Sequence, residues 1–192
     1  MACPANILSL WQHMNDEEGE KAYRMIFDYY YDRLLRFAIC YVSVREEAEE
    51  IVLDVFLNIW LHRERLRKIK SPDTYLFISV RNRCLNYLRH FSHLHVRSVD
   101  NQQSGLELAD RTDPQKEMER KQLHRVLDEA IAQLPFQCRM VFRLIREERM
   151  TYKEVAEILQ ISVRTVETQI QRAMQKLRAS LHEQMSEFKA RK

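Results

Sequence analysis

The sequence predicts an all-α chain of two small helical domains joined by a flexible linker, the second a four-helix domain with a helix-turn-helix. Three observations carry this. Only 2 Gly and 4 Pro occur in 192 residues that are 45% hydrophobic, a composition that favours long helices over tight turns. Apolar residues recur at steps of three and four in long stretches, and no stretch alternates convincingly as a strand would. Residues 92–112, SHLHVRSVDNQQSGLELADRT, lose all periodicity, are rich in Ser, Gln, Asn and Asp, and read as a linker. The expected domains are therefore 16–91 and 113–188.

A short first helix is expected over Ile7 to Met14, with Leu8, Leu10 and Trp11 as its apolar residues and no evident role. The acidic run from Asp16 suits a helix N-terminus, where carboxylates meet the positive end of the macrodipole. Tyr23, Ile26, Phe27, Tyr30, Leu34, Phe37 and Tyr41 then follow at core spacing in a helix with an expected break near Phe27. Ser43 and Glu46 form an S/T-x-x-E capping box for the next helix, whose core face is Ala48, Ile51, Val52, Val55, Phe56 and Ile59. Leu53, Leu57 and Trp60 extend that stripe sideways until it adjoins Glu46, Glu50 and Asp54. An apolar strip beside carboxylates suits docking of a basic partner helix; the alternative is that the strip packs inside its own domain.

His62 to Lys70 is dense in Arg and Lys, and Ser71-Pro72 then starts a new helix, Ser as N-cap and Pro at the first helical position. Leu76, Val80, Cys84 and Leu88 form one line of it, with Tyr75, Phe77, Tyr87 and Phe91 around them. Arg81, Asn82, Arg83, Asn86 and Arg89 occupy the polar positions. Cations interleaved with aromatics grip single-stranded nucleic acid, because cations track the backbone while rings and amides receive unstacked bases. The alternative is a basic amphipathic helix on an aromatic core.

Beyond the linker, Asp113-Pro114 restarts a helix through Met118, Leu123, Val126, Leu127, Ala130, Ile131 and Leu134, and Pro135 ends it. A short helix through Met140, Val141, Leu144 and Ile145 precedes the hairpin from Met150 to Leu177. There Thr151 and Glu154 make a capping box and Ser162 caps the second helix, which runs to roughly Phe188. Val163, Val166, Ile170, Ala173, Leu177 and Leu181 fall on its core face, and Arg164, Thr168, Gln171, Arg172 and Gln175 point away. Arg and Gln on such a face suit the major groove, where they bond base edges and phosphates.

Net charge is only +3, but it is unevenly distributed: residues 1–60 carry net −6, residues 61–97 net +7 and the remainder net +2. The basic block is a footprint for a polyanion, which the acidic block would repel. Cys3, Cys40, Cys84 and Cys138 share no C-x-x-C spacing, so neither a zinc ribbon nor a disulfide framework is expected, and reduced thiols in a cytoplasmic protein are. His90, His93 and His95 lie near Cys84 in sequence but among irregular polar flanks, and no metal site is expected. No paired carboxylates, Gly-rich phosphate loop or nucleophile motif suggests a catalytic residue or cofactor. The N-terminus lacks a basic region followed by an apolar run, and no run of about 18 apolar residues exists, so neither a signal peptide nor membrane insertion is expected.

The order of parts resembles an extracytoplasmic-function sigma factor of the sigma-70 family. AEEIVLDVFLNIW (Ala48 to Trp60) is similar to the family's region 2.2, and YLFISVRNRCLNYLR (Tyr75 to Arg89) to regions 2.3 and 2.4, including the Arg81-Asn82 pair. Leu134 to Leu144 with Thr151 to Arg178 is similar to region 4. The chain departs from the family pattern at Leu53, where Gln is usual, at Gln160 in the turn, where Gly is usual, and at Asn86, where Asp is frequent. The resemblance implies docking on the clamp helices of core RNA polymerase through Glu50, Leu53, Asp54 and Leu57. It implies capture of the melted non-template minus-10 strand by the basic loop and by Arg81, Asn82, Asn86 and Arg89. It further implies that Glu167, Thr168, Gln171 and Arg172 approach base edges of the minus-35 duplex, with Arg164 and Thr165 nearer phosphates. The linker would thread toward the polymerase active-site channel, and an anti-sigma factor would hold the chain inactive. The rival is a helix-turn-helix regulator that binds only duplex DNA, which has no need of a single-strand surface over residues 63–91.

Overall fold

The structure, a computed structural model, describes residues 7–92 and 126–190, without the side chains of 91–92 and 182–190. The expected linker over 92–112, the helix start at Asp113-Pro114, and Met118, Leu123, His93 and His95 fall outside that description, apart from the Ser92 backbone. Among the described residues every regular element is a helix. The described residues fall into two compact units.

The first unit holds α1 (Ile7–His13), α2 (Gly19–Ile39), α3 (Arg45–Leu61), the single turn α4 (Arg63–Leu66) and α5 (Pro72–Ser92). Two expectations about helix starts are corrected. Asp16 to Glu18 lie in turns, and α2 begins at Gly19, where a Cβ would collide with the Met14 carbonyl. Only glycine permits that approach of α1 to the start of α2. From there α2 runs unbroken past Phe27, because Phe27 stays in the aromatic seam, 4.7 Å from Phe56 and 5.0 Å from Tyr31. The Ser43 capping box does not form: Val44, extended at φ −90 and ψ 122, is the N-cap, and no side chain caps the helix.

The apolar spacing of α3 and α5 translates directly into burial. Ala48, Ile51, Val52, Val55, Phe56 and Ile59 are buried, as are Leu76, Phe77, Val80 and Cys84. Aromatic pairs tie α2 to both neighbours, Tyr23 to Trp60 at 4.9 Å and Phe37 edge-on to Phe77 at 5.0 Å. Trp60 is thereby drawn against α2, with the Arg63 guanidinium 4.4 Å over its ring, and does not extend the exposed strip of α3 as its spacing suggested. Pro72 opens α5 as expected, with the Ser71 and Thr74 hydroxyls 2.8 Å apart and the Tyr75 amide donating to the Ser71 carbonyl.

The second unit holds α6, described over 126–132, α7 (Phe136–Arg146), α8 (Tyr152–Leu159) and α9 (Val163–Ala190). Ala130, Ile131 and Leu134 pack with Cys138 of α7 and with Ala173 and Leu177 of α9 into one buried cluster. The Cys138 thiol donates to Gln169 Oε1 at 2.9 Å, a polar tie between α7 and α9.

Candidate nucleic-acid interface

The α8–α9 pair is set by its caps. Thr151 and Glu154 complete the expected box: the Thr151 amide and hydroxyl donate to Glu154 Oε2 at 2.8 and 2.7 Å, and the Glu154 amide donates back to the hydroxyl at 3.3 Å. Ser162 Oγ accepts the Thr165 amide at 3.0 Å and lies 2.8 Å from the Thr165 hydroxyl. Between the two helices Gln160 takes φ 54, as the missing glycine demanded. The Gln160 and Ile161 amides donate to the Glu157 and Ala156 carbonyls, closing α8 in a Schellman arrangement.

With the turn fixed, Val166, Ile170, Ala173 and Leu177 are buried and Arg164, Glu167, Gln171, Arg172 and Gln175 are exposed. Val163, expected in the core, is the first residue of α9 and is 38% exposed, whereas Val166 one turn on is fully buried. The Thr168 hydroxyl donates to the Arg164 carbonyl at 2.9 Å, which leaves its oxygen able to accept. Thr165 is half-buried and engaged with the Ser162 cap, so what it does in this structure is shape the helix start. A cleft of about 390 Å³ adjoins this face, lined by Arg146, Tyr152, Gln171, Gln175 and Arg178 over Ile170 and Met174. Arg178 was legible as the i+7 partner of Gln171, but Arg146 and Tyr152 come from other helices and no periodicity could join them to α9.

On α5 the residues expected at the minus-10 strand lie along one polar side. Asn82, Asn86 and Arg89 are exposed, and Arg81 is half-buried. Arg81 Nη1 donates to Asn82 Oδ1 at 3.4 Å and Arg89 Nη1 to Asn86 Oδ1 at 3.3 Å, long bonds that water or a nucleotide can replace at little cost. Beneath them the Tyr41 hydroxyl is pushed up to about 12 by burial, against the opposing pull of Arg81. Burial, with the nearby Cys40, pushes the Cys84 thiol up to about 12, so both groups are neutral floor of the helix rather than reactive centres.

On α3 the residues expected to dock are all on the surface. Glu50 and Asp54 are exposed, and Leu53 and Leu57 stand 47% and 53% open. Leu61, 63% exposed and the i+4 partner of Leu57, continues the strip beyond the expected Leu53 and Leu57. Asp54 is already engaged: Arg83 Nη1 of α5 donates to its Oδ2 at 2.6 Å.

Helices so arranged make a nucleic-acid-binding protein of the helix-turn-helix class. Residues 26–92 match the family model "Sigma-70 region 2" and residues 124–177 the model "Sigma-70, region 4", which together take in more than half of the chain. The ECF RNA polymerase sigma-E factor of Haemophilus influenzae is 26% identical over 164 residues, 82% of this chain and 86% of that protein. Two solved structures share the fold. The sigma factor RpoE of Bartonella quintana, in complex with the anti-sigma factor NepR, matches with a TM-score of 0.64 at 19% identity, over 84% of this chain and 98% of that one. CnrH, in complex with the cytosolic domain of CnrY, matches with a TM-score of 0.57 at 20% identity, over 92% and 96%. The chain belongs to the sigma-70 family, in its extracytoplasmic-function class. It is a transcription initiation factor that brings core RNA polymerase to promoters.

Proposed function

We propose that three surfaces of this chain divide the work of initiation. The α3 strip of Glu50, Leu53, Asp54 and Leu57, extended by Leu61, docks on core polymerase. The basic turn and Arg81, Asn82, Asn86 and Arg89 of α5 take the melted minus-10 strand. Glu167, Thr168, Gln171 and Arg172 of α9 read the minus-35 duplex, with Arg164 and Thr165 toward phosphates. Arg146, Tyr152 and Arg178 line a cleft that fits a further backbone phosphate beside that duplex. In this division residues 16–91 and 113–188 are the working domains and 92–112 is the connection between them. The chain works in the cytoplasm, contributes no catalytic group and needs no cofactor, since polymerase supplies the chemistry.

The observation that carries the reading is the exposed leucine and carboxylate strip of α3 lying beside a basic helix of the same unit. A regulator that touches only duplex DNA has use for neither surface. An anti-sigma partner is part of the proposal, supported by the complexes with NepR and CnrY in which the two structural neighbours occur. Such a partner would cover the α3 strip and the basic surfaces. No described helix is long and apolar enough to cross a membrane.

Run-off transcription with purified core polymerase tests the whole. With this chain added, transcripts start at promoters selected from a genomic library; without it they do not. Failure to bind core enzyme, together with no initiation from any selected fragment, would sink the proposal.

A further inference from the structure

The basic turn between α3 and α5 poses a physical problem. It contains α4, one turn of helix, and helices that short do not persist in water by themselves. Arg63, Arg65, Arg67, Lys68 and Lys70 crowd eight residues with only Glu64 to offset them, so the turn also repels itself. Yet its cations are presented in order: Arg65, Arg67, Lys68 and Lys70 are exposed, while Arg63 lies over the Trp60 ring and donates to the Trp60 carbonyl at 2.9 Å.

Two side chains of the N-terminal segment reach this turn. Trp11 Nε1 of α1 donates to the Leu66 carbonyl at 2.8 Å, and that carbonyl also receives the Ile69 amide at 3.0 Å, so both its lone pairs are used. Asn15 Nδ2 donates to the Arg63 carbonyl at 3.2 Å. Trp11 is fully buried and meets Tyr75 of α5 edge-on at 5.9 Å. Met14, also buried, presses its carbonyl on Gly19, so α1 is seated against the start of α2.

We propose that α1 and the turn after it are a brace for the strand-binding turn, with Trp11 and Asn15 as positioning residues that hold the backbone of residues 63–66 and so place its cations before the melted strand arrives. The inference rests on the reading of this turn and α5 as the strand surface. A turn already held in its binding conformation avoids the ordering cost that a free one meets on binding.

The test uses the full chain in holoenzyme with core polymerase. Wild-type holoenzyme first selects a fluorescent single-stranded DNA from a random pool, and the selected strand becomes the probe. Trp11→Phe keeps an aromatic ring but removes the N–H donor; Asn15→Ala removes the second donor with little change of packing. Each is expected to weaken binding of the single strand roughly fivefold, the scale of one lost hydrogen bond. Affinity for core polymerase is expected to stay at the wild-type value. Strand binding equal to wild type in Asn15→Ala and in any folded Trp11→Phe would overturn the brace, whatever happens to the melting temperature. An equal loss of core binding would overturn it too, by showing general damage to the unit. If wild-type holoenzyme selects no strand at all, the strand-surface reading fails first and the brace with it. Should Trp11→Phe not fold, Asn15→Ala carries the test alone.

Discussion

Gln160 sits where an L-residue crowds its own carbonyl, at φ 54, in the turn that aims α9. The left-handed conformation costs a non-glycine residue on the order of 1 kcal/mol, and the paired Schellman bonds to Glu157 and Ala156 hold it there. Gln160→Gly is therefore expected to stabilise the second unit by about 0.5–1 kcal/mol, read as a rise in melting temperature with unchanged helicity; no rise would mean that the Gln side chain offsets the strain. This residue was legible in the sequence because the caps on either side of it fix where the turn must be. Arg172 is a different kind of residue, exposed on α9 and placed by the register of the helix. If it reads bases, Arg172→Ala costs about 1–3 kcal/mol and relaxes preference at one promoter position, measured by competition among single-base promoter variants in holoenzyme. Uniform loss on all variants would make it a phosphate contact.

At the scale of elements, two stretches with the same S/T-x-x-E pattern fold differently. At Thr151 every bond of the box forms, whereas at Ser43 the extended Val44 starts the helix one residue later and moves the Ser hydroxyl out of the capping position. Thr151→Ala should thus cost about 1 kcal/mol in thermal or urea unfolding, and Ser43→Ala within about 0.5 kcal/mol of nothing. Equal losses at the two sites would contradict the geometry. The α3 strip gives a functional counterpart. Leu57→Glu, at a side chain that stands open, should leave the melting temperature nearly unchanged and weaken binding to core polymerase about tenfold or more; full affinity in that variant would remove α3 from the docking surface. Periodicity identified this strip but misjudged its end, because it cannot tell that Tyr23 of α2 draws Trp60 inward and leaves Leu61 outside.

For the whole molecule, helix periodicity was enough to foresee the all-helical class and most of the core, since burial in both units follows the steps of three and four. What periodicity could not foresee were features made by distant residues: the Trp11 bond to Leu66, the cleft shared by Arg146, Tyr152 and α9, and the Asp54–Arg83 pair. Charge acts at this scale as well. With net −6 over the first 60 residues ahead of net +7 over the next 37, the free chain is expected to hold duplex promoter DNA weakly, and to hold it well only when core polymerase engages the acidic block. Mobility-shift titrations with and without core enzyme check this, and tight sequence-specific binding by the free chain would refute it.

If α3 docks on polymerase as proposed, the Asp54–Arg83 pair bears on how the energy of that contact is distributed. A cation on polymerase that approaches Asp54 finds a carboxylate already matched, so contact there is an exchange of one ion pair for another, with little net electrostatic gain at a half-exposed site. The leucines lose water without giving up a prior partner. Raising ionic strength weakens the resident and the incoming pair alike. Attachment of this acidic helix to the enzyme should accordingly tolerate salt far better than its carboxylates suggest, while capture of the DNA strand, which displaces condensed counterions, should not.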